Sequence, residues 1–304
     1  MTEDQENTRA IDEFLREYQL SSGYARSARQ WFDPLAKVLA KQTETRQPCI
    51  VGINGSQGSG KSTLAAYLST VLAERFALRA VCLSLDDFYL DHAARKRLAE
   101  QIHPLLATRG SPGTHNVTQA INTLNALRGC DSTITVPVFN KATDNPTADG
   151  RQVALPLDII IIEGWCLGAE PQEPSALQTP INSLEKNEDK QGIWRRFVNE
   201  QLANQYRELF GLIDYWVMLK APTFSCVKQW RLEQENKLRN KIANENSEKK
   251  SLASNLHIMS ETEISRFIQH YQRLTEHMLE SFAEKADYVY ELDKQRKILR
   301  CHHN

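Results

Sequence analysis

Residues 55 to 63 read Gly55-Ser56-Gln57-Gly58-Ser59-Gly60-Lys61-Ser62-Thr63, the spacing G-x-x-x-x-G-K-[ST] of a loop that cradles phosphate. Glycines without a Cβ let successive backbone N–H groups turn toward phosphate oxygens, and a following helix adds roughly half a positive charge at its N-terminus. Lys61 is placed to reach the β- and γ-phosphates of a nucleoside triphosphate, and the Ser62 hydroxyl to ligate magnesium. The loop is entered from the apolar run Cys49-Ile50-Val51-Gly52-Ile53 and left through residues 64 to 73, whose apolar period is helical. The motif thus stands in the strand-loop-helix setting that it needs.

Moving a phosphoryl group also requires a group that orients or deprotonates the acceptor, a second carboxylate near the metal, and positive charge on the moving group. Asp86 follows the run Arg79 to Leu85, expected to be the strand beside the phosphate-loop strand, and can take a hydroxyl proton. Asp87 competes for that role, and either residue could instead cap a helix. Glu163 follows four consecutive isoleucines, where a carboxylate meets magnesium or its water; a solvated turn carboxylate is the alternative. Arg109, His115 and Lys141 fall on loops between elements, each either a ligand contact or a solvated surface residue. The turn-rich Arg109-Gly110-Ser111-Pro112-Gly113-Thr114-His115 combines two cation-capable side chains and suits an anionic or polyol ligand. Arg231, with Lys237 and Arg239 about two helical turns further on, could form a lid cation or simply a surface charge stripe.

These groups need a scaffold, and the pattern from Ile50 onward is β-α-β. Strands are expected at 49–53, 79–85, 133–139, 157–162, 213–219 and 288–292, and helices at 62–75, 117–128, 193–210, 223–245 and 262–284. Residues 140–150 read as a polar loop. Ser260 and Glu263 form a capping box that opens the last helix. Two amphipathic helices, at 8–20 and 24–41, form an N-terminal helical preface over residues 1–45. Residues 46–304 are then one α/β domain with a mostly parallel central sheet, a polar excursion at 168–192 and a helical lid region at 223–260.

The chain has 304 residues, 41% of them hydrophobic and 25% charged, with a formal net charge of −1. That balance offers no attraction to nucleic acid or an anionic membrane, and no apolar run is long enough to span a bilayer. The start is acidic and polar rather than a signal or transit peptide, and the six cysteines are scattered without a C-x-x-C pair. Both features point to reduced thiols in a cytoplasmic protein. Cys301-His302-His303 could bind zinc, but a frayed terminus is the expectation.

Together the phosphate loop, Leu85-Asp86-Asp87-Phe88-Tyr89, the Arg109 to His115 loop, Val136-Pro137-Val138-Phe139-Asn140-Lys141, Ile162-Glu163-Gly164-Trp165-Cys166-Leu167-Gly168 and Trp230-Arg231-Leu232 resemble plant-type D-glycerate 3-kinases and their bacterial and fungal relatives. Those belong with phosphoribulokinase, uridine kinase and pantothenate kinase, and the resemblance runs from about Ile50 to the last strand. It implies a three-layer α/β/α P-loop NTPase fold and a kinase moving the ATP γ-phosphate to a hydroxyl of a small metabolite, D-glycerate above all. It further implies Asp86 as base and matches Lys61, Ser62 and Glu163 to the phosphate-loop lysine and serine and the strand-end acid. Ser62 with Glu163 would then hold magnesium, and Lys61, with Arg231 as the lid cation read above, would stabilise charge. Asp87, Tyr89, Arg109, His115, Asn116 and Lys141 are the candidate acceptor-binding set. Relatives commonly carry aspartates where Asn116 and Asn140 stand, so the acceptor pocket is expected to be less negative here. Pantothenate, a nucleoside or a sugar acid are alternative acceptors, and a non-catalytic ATP-binding regulator is the alternative outside enzymes. A GTPase is disfavoured because Asn140-Lys141-Ala142-Thr143 lacks the aspartate of N-K-x-D, and Asp189-Lys190-Gln191-Gly192 comes after it, in the wrong order.

Overall fold

A computed structural model describes residues 3–45, 48–129, 133–244 and 259–304, without the side chains of 3–8 and 237–244. The central sheet has six strands: β1 (Cys49–Gly55), β2 (Ala80–Ser84), β7 (Ile159–Gly164), β8 (Tyr215–Lys220), β9 (Tyr288–Leu292) and β10 (Ile298–His303). Their order is β10-β9-β8-β1-β7-β2, parallel throughout except for β10, which runs antiparallel to β9.

Every residue of β7 is buried, because a strand of isoleucines loses nothing by being covered on both faces. Pleating sends Ile160 and Ile162 to one side of the sheet and Ile159 and Ile161 to the other, and each buried isoleucine contributes about 1.5–3 kcal/mol relative to exposure. The first side is covered by α5 (Val117–Leu127), α8 (Gln205–Phe210) and α11 (Gln269–Ser281). The second is covered by α3 (Lys61–Phe76) and the N-terminal helices α1 (Glu3–Glu17) and α2 (Ser22–Gln42). The result is the expected three-layer α/β/α arrangement. Asp33 of α2 accepts from Tyr67 at 2.7 Å and pairs with Arg75 at 2.5 Å, fastening the preface to α3.

Several expectations need correction. The strand leading to Asp86 does not lie beside β1, since β7 stands between them. The fully apolar β7 takes the interior place, while β2, buried only at alternate residues, suits an edge. The strand expected at 133–139 leaves the main sheet: β3 (Thr133–Val136) pairs with β6 (Arg151–Ala154), and β4 (Phe139–Asn140) with β5 (Asn145–Pro146). Pro137, which has no N–H to donate, separates β3 from β4. The polar loop 140–150 is therefore largely a hairpin.

The helix expected at 193–210 divides at Asn204 into α7 (Ile193–Ala203) and α8. The last helix divides at Ile268 into α10 (Glu261–Phe267) and α11, with the Ser260–Glu263 capping box in place. The terminus does not fray but forms β10, and no metal-binding group of His, Cys, Asp or Glu occurs among the described residues. Residues 168–192 include α6 (Ser183–Glu188), and they are anchored by buried ion pairs of Glu185 with Arg273 at 2.7 Å and Asp189 with Arg195 at 2.9 Å. Of the lid region, α9 (Phe224–Asn244) is described, whereas the side chains of Lys237 and Arg239 and residues 245–258 lie outside the described residues. Among the described residues, no helix is long and apolar enough to cross a membrane.

Candidate active site

The phosphate loop turns out of β1 at Gly55 and into α3 at Gly60, whose φ of 99° is open to glycine at little cost. Gly58, with φ of 79°, is needed for a second reason: a Cβ there would stand 2.7 Å from Cβ of Trp230 on α9. The Ser56 and Ser59 hydroxyls are buried and have no hydrogen-bond partner within the protein. Such groups are costly unless a ligand or solvent engages them, and they fit a loop built to surround an anion. Gln57, Gly58, Lys61 and Ser62 line a cavity of about 760 Å³; Thr63, one position further along α3, does not.

In the sheet register Glu163 lies between Ile53 of β1 and Ser84 of β2, so the end of β7 delivers its carboxylate to the loop. Ser62 Oγ donates to Glu163 Oε1 at 2.7 Å, and Lys61 Nζ stands 3.6 Å from Oε2. Oε2 is buried and accepts no hydrogen bond. A hydroxyl and a half-satisfied carboxylate facing the phosphate loop form an oxygen donor set suited to magnesium.

The two neighbouring aspartates have different surroundings. Asp87 closes a 3-10 turn over Leu85–Phe88: its Oδ2 accepts from Ser84 N–H at 3.3 Å and its Oδ1 from Phe139 N–H at 3.1 Å. It does not line the cavity. Asp86 does, with Tyr89 Oη donating to Oδ1 at 2.8 Å and Lys141 Nζ donating to Oδ2 at 2.6 Å. Burial opposes its ionisation, but the Lys141 and Lys61 ammonium groups outweigh it and hold the carboxyl far below the usual range. Burial first, and then the neighbouring Asp86 carboxylate, push the Tyr89 phenol well above its ordinary value, so it remains a donor.

The loop from Arg109 is held open-ended toward the cavity by its own hydrogen bonds. Thr114 Oγ1 accepts from Gly110 N–H at 3.0 Å, and the Arg109 and Gly110 carbonyls accept from Tyr271 Oη at 3.1 Å and Trp165 Nε1 at 3.0 Å. Arg109 thereby lines the cavity and pairs with Asp144. On its other side Asp144 is held by Arg95 at 2.5 Å, an arginine only 1% exposed that also donates to the carbonyls of Leu90, Ala107 and Asp144. Arg231 faces the same space, paired with Glu235 at 2.6 Å and lying over the Phe267 ring at 6.0 Å.

Three members of the candidate acceptor set do not line the cavity: Asp87, described above, His115 and Asn116. His115 is buried behind Tyr89, stacked on it at 4.5 Å with Nδ1 2.6 Å from Tyr206 Oη, and does not line the cavity. Burial lowers its pKa to about 4, so it is a neutral support rather than a loop cation. Asn116 caps α5, its Oδ1 accepting from Gln119 N–H at 3.1 Å, and Asn140 Oδ1 accepts from Ala142 N–H at 2.9 Å. Neither asparagine lines the cavity, so the expected loss of negative charge does not reach it. Conversely, sequence reasoning missed Arg95, Asp144, Trp165, Tyr271 and Glu235. Arg95 belongs to a run of polar and basic residues with no pattern that marks it for burial, and Asp144 falls in the polar loop 140–150.

No family model matches the chain. A Schizosaccharomyces pombe protein named an uncharacterized kinase is 36% identical over 251 residues, which cover 79% of this chain and 84% of that one. The chloroplastic D-glycerate 3-kinase of Arabidopsis thaliana is 30% identical over 203 residues, 63% of this chain but only 42% of that longer protein. Among solved structures, a D-glycerate 3-kinase from Cryptococcus neoformans superposes with a TM-score of 0.71 at 22% identity, covering 88% of this chain and 96% of that one. The superposition speaks for the fold, a P-loop kinase architecture.

Proposed function

This chain belongs to the glycerate-kinase-like family of P-loop kinases, phosphotransferases with a hydroxyl acceptor, and we propose that it transfers the γ-phosphate of ATP to a hydroxyl of D-glycerate. The observation that carries the reading is the meeting in one cavity of the phosphate loop, the Ser62–Glu163 pair, Asp86 and the cations Arg109 and Lys141. ATP phosphates fit the cradle of Gly55 to Thr63. Ser62 and Glu163 would hold Mg2+, which when bound supplies positive charge to the β- and γ-phosphate oxygens.

Asp86 is assigned as the base. Its carboxylate accepts the acceptor's hydroxyl proton as the new bond from oxygen to the γ-phosphorus forms, the bond from that phosphorus to the bridging oxygen breaks, and ADP leaves. Tyr89, fixed by stacking on His115, holds Asp86 in position through its hydrogen bond. Lys61 and Arg231 stabilise the charge spread over the moving phosphoryl group. Arg109 and Lys141 suit the carboxylate of a small hydroxy acid, and the name of the Arabidopsis relative supports glycerate among such acids.

A coupled ADP-release assay over D-glycerate, pantothenate, nucleosides and sugar acids tests the reading. D-glycerate is expected to give the highest kcat/KM of the panel. ATP binding without acceptor-stimulated ADP release from any member would overturn it in favour of a non-catalytic ATP-binding protein.

A further inference from the structure

Both oxygens of Asp86 are occupied, one by Tyr89 and the other by Lys141. Each oxygen can accept a second hydrogen bond. An ammonium group bound to Oδ2, however, lowers the basicity needed to take a proton from an incoming hydroxyl, so the base is strengthened when a charged partner leaves. Tyr89 is poorly suited to leave: it is 5% exposed, stacked on His115 at 4.5 Å and set edge-on to Phe139 at 5.3 Å. Lys141 is free to move, because its side chain is 60% exposed and it follows β4 in a short surface hairpin.

An ammonium group exchanges a carboxylate partner readily only for another anion. The cavity provides a place for one. Arg109 stands near enough for its charge to oppose that of Lys141, and it is kept there by Asp144, itself locked by the buried Arg95. Two neighbouring cations, one fixed and one mobile, would both be relieved by a single carboxylate.

We propose that Lys141 is a latch on Asp86 that the acceptor's own carboxylate opens. The acid draws Lys141 toward itself and Arg109, Asp86 Oδ2 is released, and the acceptor hydroxyl takes the vacated position. A neutral alcohol binds without opening the latch. Selectivity for hydroxy acids over polyols then arises in the proton-transfer step as well as in binding. The proposal rests on the assignment of Asp86 as base and of a hydroxy acid as acceptor.

The test compares D-glycerate with glycerol, which lacks only the acidic group, in the wild-type chain and in Lys141→Met, each with and without added formate. Wild type is expected to favour glycerate by at least about 100-fold, and formate, supplying the missing carboxylate, to raise glycerol turnover several-fold. In Lys141→Met the preference is expected to fall at least about tenfold, with glycerol turnover raised, formate activation lost, and the acid limb of the pH–rate profile moved to higher pH. An equal loss on both acceptors with the preference unchanged would overturn the latch while leaving the D-glycerate assignment intact. Absence of formate activation in wild type would count against it without any variant. A wild-type preference for glycerol would remove both the latch and the proposed acceptor.

Discussion

Ser62 on α3 and Glu163 at the end of β7 are 101 positions apart in sequence and share a hydrogen bond of 2.7 Å. The contact follows from the parallel pairing of β1 with β7, which brings the phosphate loop and the strand-end carboxylate to one edge of the sheet. If the pair holds magnesium, Ser62→Ala and Glu163→Gln should each raise the Mg2+ concentration for half-maximal ADP release roughly 10- to 100-fold. A magnesium titration of the acceptor-stimulated reaction checks this; an unchanged half-saturation point would detach the pair from the metal.

Asp86 and Asp87 should separate cleanly under mutation. Asp86→Asn is expected to lower kcat by about 10²- to 10⁴-fold while ATP still binds. Asp87→Asn weakens the acceptor side of a capped turn, so its main effect should be a stability loss of about 1 kcal/mol, read by urea unfolding. Near-normal turnover in Asp86→Asn would require a different base.

Buried histidines give the protein a pH-dependent stability. His115 and His270 each have pKa values lowered from about 6.5 to about 4, chiefly by burial. On acidification the unfolded chain takes up these protons first and the native state does not, so their contribution to stability is full above pH 6.5 and is lost as pH falls toward 4. Urea midpoints should therefore decline over this window, and His115→Gln should flatten the decline. Asp86 also shifts downward, to far below the usual carboxylate range, so its ionisation should not limit activity near neutrality.

Gly110 has φ of 128°, and a Cβ there would stand 2.2 Å from Tyr271 Oη. Gly110→Ala should therefore cost more than about 1 kcal/mol and displace Arg109, whose carbonyl accepts from that same hydroxyl. The expected kinetic signature is a raised KM for the acid acceptor with a smaller change in the KM for ATP, measured by varying each in turn.

The parts of the site legible in the sequence were those encoded by short-range pattern. The phosphate loop depends on nine contiguous residues, and Glu163 is marked by the isoleucines before it. Which strand adjoins which was not legible, because β2 and β1 are separated by a strand 75 residues or more beyond β2 in the chain. Long-range packing decided the histidine, since His115 lies behind Tyr89 and against Tyr206, whereas Asn116 and Asn140 are taken up by local capping and turn bonds to nearby backbone N–H groups. Arg95 illustrates the limit of charge patterning, since a helix rich in charged residues buries one of them almost completely to lock Asp144.

The most direct test of the kinase assignment is phosphorus NMR of ATP and D-glycerate incubated with the wild-type chain and magnesium. The expected result is equimolar ADP and phosphoglycerate, with neither formed at a comparable rate by Asp86→Asn. ATP left unchanged, or converted to ADP and inorganic phosphate without phosphoglycerate, would contradict it.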